Sequence, residues 1–226
     1  GGANPFGGGT GAGVWTEINA YRRDVFAQKS GPFRGGRCYL ADEQDDGTYW
    51  LWIEDLSHLS GFNWTPKQYS LAASAIGQFR GSRMNENLAH LDWLPRNDNL
   101  NGLESQGVLL AGQKNFHSLK ESKYFRTGVP GALYDRVIGL REFLPVLVKA
   151  GLTLPVTITH CDSHIRNLFV SSDSAQIPEV AAIDFARVGI EHLGIDGGEL
   201  LVSSFMWTDP EANVAMDNAD SMYSSW

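Results

Sequence analysis

Two polar turns, each fed by a short apolar run, constrain this chain more than any other feature in it. Val156-Thr157-Ile158 reads as a strand entering Thr159-His160-Cys161-Asp162-Ser163-His164-Ile165-Arg166-Asn167, and Leu168-Phe169-Val170 reads as the strand leaving it. A third run, Val180-Ala181-Ala182-Ile183, ends in Asp184-Phe185 and follows a hairpin-like connection from Ser171 to Pro178. Two carboxylates and one carboxamide therefore stand at the mouths of short strands. A metal site is one use of such a set. If His160, Asp162 and His164 lay on a strand they would share a face, and His and Asp are ordinary zinc ligands. A His-Asp-His metal-dependent hydrolase would, however, leave Asn167 and Asp184 without a role.

Phosphoryl transfer uses the whole set. It needs a group to orient the attacking hydroxyl and oxygen ligands for a divalent cation on the phosphates. A kinase loop of the form His-x-Asp-x-x-x-x-Asn, followed by a second Asp after the next hairpin, meets that need. His160, Asp162 and Asn167 have this spacing, and Asp184-Phe185 stands where Asp-Phe-Gly would. The stretch resembles the aminoglycoside phosphotransferase and choline kinase group of small-molecule kinases. These carry His-Gly-Asp-x-His-x-x-Asn and then a strand ending Ile-Asp-Trp or Ile-Asp-Phe. Here Cys161 takes the place of the Gly, and His164 that of the second His.

The resemblance implies an α+β, protein-kinase-like two-lobe fold with a reduced N-lobe and a mostly helical C-lobe. It implies ATP and Mg²⁺ as cofactors and a small-molecule hydroxyl acceptor such as an aminoglycoside, choline or a sugar. Asp162 would orient or deprotonate the acceptor, while Asn167 and Asp184 would hold Mg²⁺. His160 would brace the loop, and His164 would brace it or touch phosphate. Asp196 matches the family's Asp that starts a helix and supports the loop. Arg166 is open between phosphate contact and a solvated loop position.

Upstream, the family has a helix whose Glu pairs with a Lys on the preceding strand. Val14, Ile18, Tyr21 and Val25 recur at helical spacing, which predicts a helix over 15–26 with Thr16 as N-cap. Glu17 is the candidate for the paired Glu, with a dipole-favoured first-turn Glu as the equal alternative. Residues 1–16 contain neither Lys nor Arg. The phosphate-gripping Lys and its Gly-rich strands are thus expected to be missing from these residues. That favours either a fragment or a reduced family member, and it leaves open a catalytically inactive, pseudokinase-like binding domain.

Arg37–Leu40 and Thr48–Ile53 read as two strands around an Asp46-Gly47 turn. In the resembling kinases such a strand leads into the hinge whose backbone meets the adenine, which makes Trp52, Ile53 and Glu54 candidate cofactor-binding residues by position. Thr65-Pro66-Lys67-Gln68 forms a capping box at a helix start. Tyr69, Ala72, Ala73, Ile76 and Phe79 then continue one apolar face to about Arg80. Residues 85–101 read as a loop or broken helix, and 104–116 as weakly helical. Leu133, Val137, Leu140, Leu144, Leu147 and Val148 predict a helix over 132–150, interrupted near Pro145 and packed beneath the catalytic loop. The expected organisation is a flexible Gly-rich segment (1–14), a partial N-lobe with hinge (15–56) and a C-lobe (57–226).

Composition adds limits. The formal net charge is −8, which argues against a nucleic-acid partner. Two cysteines cannot build a disulfide framework, so Cys161 is expected as a free thiol in a reducing, cytoplasmic setting. No apolar run approaches the ~20 residues of a membrane span. Oligomeric state leaves no mark in the sequence.

Overall fold

The computed structural model describes residues 12–27, 31–45, 48–61, 63–96, 143 and 145–207. The chain divides into two compact units, Gly1–Arg96 with Val156–Trp226, and Asn97–Pro155. The 1–11 segment, the Asp46-Gly47 turn, residues 104–116 and most of the 132–150 helix lie outside the described residues.

In the first unit, α1 spans Ala12–Arg22. It starts earlier than the sequence pattern suggests, so Thr16 lies inside it rather than at its cap. Ile18 and Tyr21 are buried, as their spacing requires, but Val14 is exposed. The chain leaves the helix at Asp24, in the left-handed region at φ 46°, and this turn returns Val25 and Phe26 to the core.

Three strands follow: β1 Phe33–Gly35, β2 Cys38–Glu43 and β3 Tyr49–Ile53. β2 and β3 form the expected antiparallel hairpin. β1 is too short to leave a periodic signal, and it pairs in parallel with a strand far along the chain. α2 runs Pro66–Arg83, with the capping box formed as the sequence requires and Pro at the helix start. Its face of Tyr69, Ala72, Ala73, Ile76 and Phe79 is buried, and the alanines allow close approach to the strands beyond.

β4 Val156–Thr159, β5 Leu168–Val170, β6 Val180–Ala182 and β7 Gly189–His192 build the site end of the unit. β4 pairs antiparallel with β7, placing Thr159 opposite Gly189. β5 pairs antiparallel with β6, placing Leu168 opposite Ala182. The 160–167 turn and the turn opened by Asp184 thus have their roots fixed to one another by ladder hydrogen bonds. α2 packs against β4, β5 and β6. α2 thus lies against the strands that carry the two polar turns; the place expected for the 132–150 helix falls outside the described residues.

In the second unit, residues 145–151 form α3. Gly151 is its last helical residue. The last helix among the described residues, α4, is Ile195–Trp207, in the first unit.

Candidate active site

The His160–Asn167 turn is irregular backbone from its first residue, because β4 stops at Thr159. His160, Asp162 and His164 therefore do not alternate along a strand face, and the premise of the zinc option is not met. Among the described residues, no three His, Cys, Asp or Glu side chains are grouped to hold a metal ion.

His160 is committed elsewhere. Its Nε2 lies 2.8 Å from the Ile183 carbonyl, so that nitrogen carries the proton and donates. Its ring stacks among Phe26 and Phe185, at centroid distances of 5.9 and 5.5 Å. Phe185 also meets Tyr21 and Phe26 at 4.6 and 4.7 Å. The result is an aromatic column joining α1, the 160–167 turn and the Asp184 turn.

Asp162 and Asn167 are brought together. Asn167 Nδ2 donates to both the Asp162 carbonyl and its carboxylate Oδ2, each at 3.1 Å. That commits the amide nitrogen and leaves Asn167 Oδ1 as the side chain's acceptor. The second Asp162 oxygen meets Arg187, whose guanidinium donates to Oδ1 at 3.3 Å. His164 Nε2 is 3.6 Å from Asp162 Oδ2. Burial nonetheless holds the His164 imidazole below its ordinary value, despite the pull of Asp162. This contact is thus one of a neutral ring. Its Nδ1 accepts the Arg166 amide at 3.2 Å, which fixes the tautomer.

Asp184 sits in the left-handed region at φ 63°, immediately before the Phe185–Arg187 3-10 turn, and its side chain makes no capping bond there. Glu17 reaches this turn from α1. Burial and the neighbouring Asp184 charge raise its carboxyl, while the Phe185 amide opposes them.

Cys161, which stands where the resembling family has Gly, is also left-handed, at φ 60°. A β-carbon is disfavoured there, which explains why glycine suits the position. Both cysteines are free, Cys161 buried and Cys38 partly exposed. Burial and the Asp196 carboxylate push the Cys161 thiol up.

The turn is held from beneath. Asp196, in the first turn of α4, accepts the His160 amide at 3.3 Å and the Cys161 amide at 3.0 Å. It braces the loop rather than merely capping its own helix. Arg80 of α2, fully buried, stands behind it at 3.7 Å and donates to the carbonyls of Glu191 and His192 at 3.1 and 2.7 Å. Arg80 was missed in the sequence, although a charged residue continuing the apolar face of α2 was a visible signal. Arg187 left no such signal, since only the fold brings it to Asp162.

The hinge candidates are placed less directly. Trp52 and Ile53 stay in the β3 ladder, opposite Leu40 and Cys38. The Glu54 amide donates to the Arg37 carbonyl at 2.9 Å, and its carboxylate pairs with Arg34. Arg34 also binds Glu179, just before β6, which ties the hairpin exit to the strand that delivers Asp184. A cavity of about 480 Å³ is lined there by Tyr21, Arg34, Arg37, Cys38, Glu54 and Phe185, among others; its lining includes none of Asp162, Asn167 and Asp184.

The small sheets, the two interlocked turns and their helical supports define an α+β, protein-kinase-like two-lobe fold. Residues 26–226 match the phosphotransferase enzyme family, and the chain belongs to it. Solved structures agree. Amicoumacin kinase, in complex with AMP-PNP, Ca²⁺ and Ami, superposes with a TM-score of 0.55 at 11% identity, over 96% of this chain and 61% of that one. An aminoglycoside phosphotransferase from Streptomyces rimosus, in complex with ADP and streptomycin, gives 0.55 at 12% identity, over 95% and 75%. An aminoglycoside-3'-phosphotransferase of type VIII gives 0.50 at 16%, over 96% and 74%. At such identities the shared property is the fold. This chain spans less than two thirds of the amicoumacin kinase chain. No curated protein matches it significantly by sequence. No helix among the described residues is long and apolar enough to cross a membrane.

Proposed function

We propose that this chain is the catalytic portion of a cytoplasmic, ATP- and Mg²⁺-dependent kinase that phosphorylates a hydroxyl of a small molecule, in the range of aminoglycosides, choline and sugars. The observation that carries this reading is the Asn167–Asp162 pair, set beside a left-handed Asp184 at the end of β6. Asn167 Oδ1 and the Asp184 carboxylate are hard oxygen donors, the kind Mg²⁺ prefers when phosphates complete its shell. Bound there, Mg²⁺ would neutralise charge on the transferring phosphoryl group.

The protein's own residues do the rest. Asp162 accepts the acceptor hydroxyl's hydrogen bond and orients it for in-line attack. Asn167 and Arg187 hold its two carboxylate oxygens, and neutral His164 lies beside Oδ2. His160 is a positioning residue, because its donating nitrogen is occupied by Ile183. Glu17, at the Asp184 turn, and the Trp52–Glu54 segment are assigned to the nucleotide side.

The alternative is a nucleotide-binding domain without turnover. Phosphate transfer from [γ-³²P]ATP to a panel of aminoglycosides, choline and sugars decides between them. Under the kinase reading one acceptor is labelled, and Asp162→Asn lowers the rate by about 10²–10⁴. An Asp162→Asn variant as active as the parent would remove the assignment.

A further inference from the structure

Asp162 is flanked by backbone that α4 holds on both sides. Asp196 takes the amides of His160 and Cys161, and Glu199, three residues further along α4, takes the Ser163 amide on its Oε2 at 3.1 Å. Residues three apart on a helix share a face, so one face of α4 grips the turn before and after the proposed catalytic carboxylate. Glu199 faces Asp196 on its own helix, Cys161 and Asp162 on the turn, and Arg187 beyond β6. Arg80 of α2 and Glu191 of β7 complete the charged surroundings on the Cys161 side. Burial first, then the Asp196 charge, pushes the Glu199 carboxyl up to about 7, against the Ser163 amide and Arg187. Holding an amide here does not require a charge, since a glutamine of the same shape offers an acceptor.

We propose that Glu199 is a positioning residue for phosphoryl transfer, its carboxylate fixing Asp162 through the Ser163 amide. The proposal rests on the phosphotransferase reading above. A hydrogen bond to an ionised acceptor is shorter and stronger than one to a neutral acid. Protonation therefore loosens the turn and slows transfer as pH falls through the Glu199 midpoint, while nucleotide affinity stays unchanged.

The test compares the parent chain with Glu199→Gln in two readouts. The first follows the Ser163 amide by ¹⁵N–¹H NMR from pH 5 to 9. It should titrate with a midpoint near 7 in the parent and stay flat in Glu199→Gln. The second is the pH profile of turnover with the acceptor found above. Glu199→Gln should lower kcat about tenfold at pH 8, in line with lost orientation, leave the KM for ATP in place and abolish the acid limb near 7. A Ser163 amide insensitive to pH in the parent, or an acid limb that persists in Glu199→Gln, overturns the proposal. A parent chain that phosphorylates no acceptor defeats the phosphotransferase reading instead, and the amide titration, which needs no turnover, still decides whether the Glu199 contact exists.

Discussion

Replacing Arg80 with Met tests how the catalytic turn is supported. Arg80 is fully buried, with its guanidinium 3.7 Å from Asp196 and hydrogen-bonded to the Glu191 and His192 carbonyls. Removing one partner of a buried ion pair costs about 3–5 kcal/mol, because the other is left uncompensated. Some of that is returned. Arg80 Nε has no hydrogen-bond partner among the described residues, and relieving a buried unpaired donor is worth about 1–3 kcal/mol. Met also keeps most of the aliphatic packing. The net loss should be about 2–3 kcal/mol, or roughly 5–10 °C in Tm for a chain of this size. Tryptophan fluorescence during urea unfolding is the suitable assay, since all seven tryptophans lie in the unit that contains Arg80. The double variant Arg80→Met/Asp196→Asn should be milder than the sum of the singles by at least about 1 kcal/mol, as expected for contacting groups. A loss under about 0.5 kcal/mol, or simple additivity, would refute the idea that Arg80 and Asp196 act as one support.

Three further outcomes are expected. Cys161→Gly should be more stable than Cys161→Ala by about 1 kcal/mol in thermal melts, reversing the usual order, because the backbone there is left-handed. Glu199→Gln should gain stability over the parent as pH rises. A carboxyl raised from 4.5 to about 7 contributes stability below its unfolded value and loses it as pH climbs through the folded one, so the two proteins should melt together at pH 4 and separate by pH 8. Thiol titration of the native chain should label Cys38 alone, with Cys161 reacting only after unfolding, because it is buried and its thiol is pushed up.

The local geometry of the two polar turns was more legible in the sequence than the fold around them. The Asp162–Asn167 contact fits the loop spacing, and Asp196, which the family resemblance singled out, takes the His160 and Cys161 amides. The α2 cap was legible because Thr65, Pro66 and Gln68 each satisfy a local rule. The parallel β1–β6 pairing was not, since three residues carry no periodicity and their partner lies far along the chain. Arg80 and Arg187 act through tertiary approach, which no local pattern encodes.

The most direct test of the central claim is a thermal-shift titration with ATP and ADP, with and without Mg²⁺, on the parent chain and Asp184→Ala. A ligand that binds only the folded state stabilises it by mass action, by about 2.7 kcal/mol at a hundredfold excess over Kd. The account predicts a Mg²⁺-dependent rise in Tm that Asp184→Ala abolishes. A folded parent chain with no shift at millimolar nucleotide, or a shift that Asp184→Ala leaves intact, would contradict it.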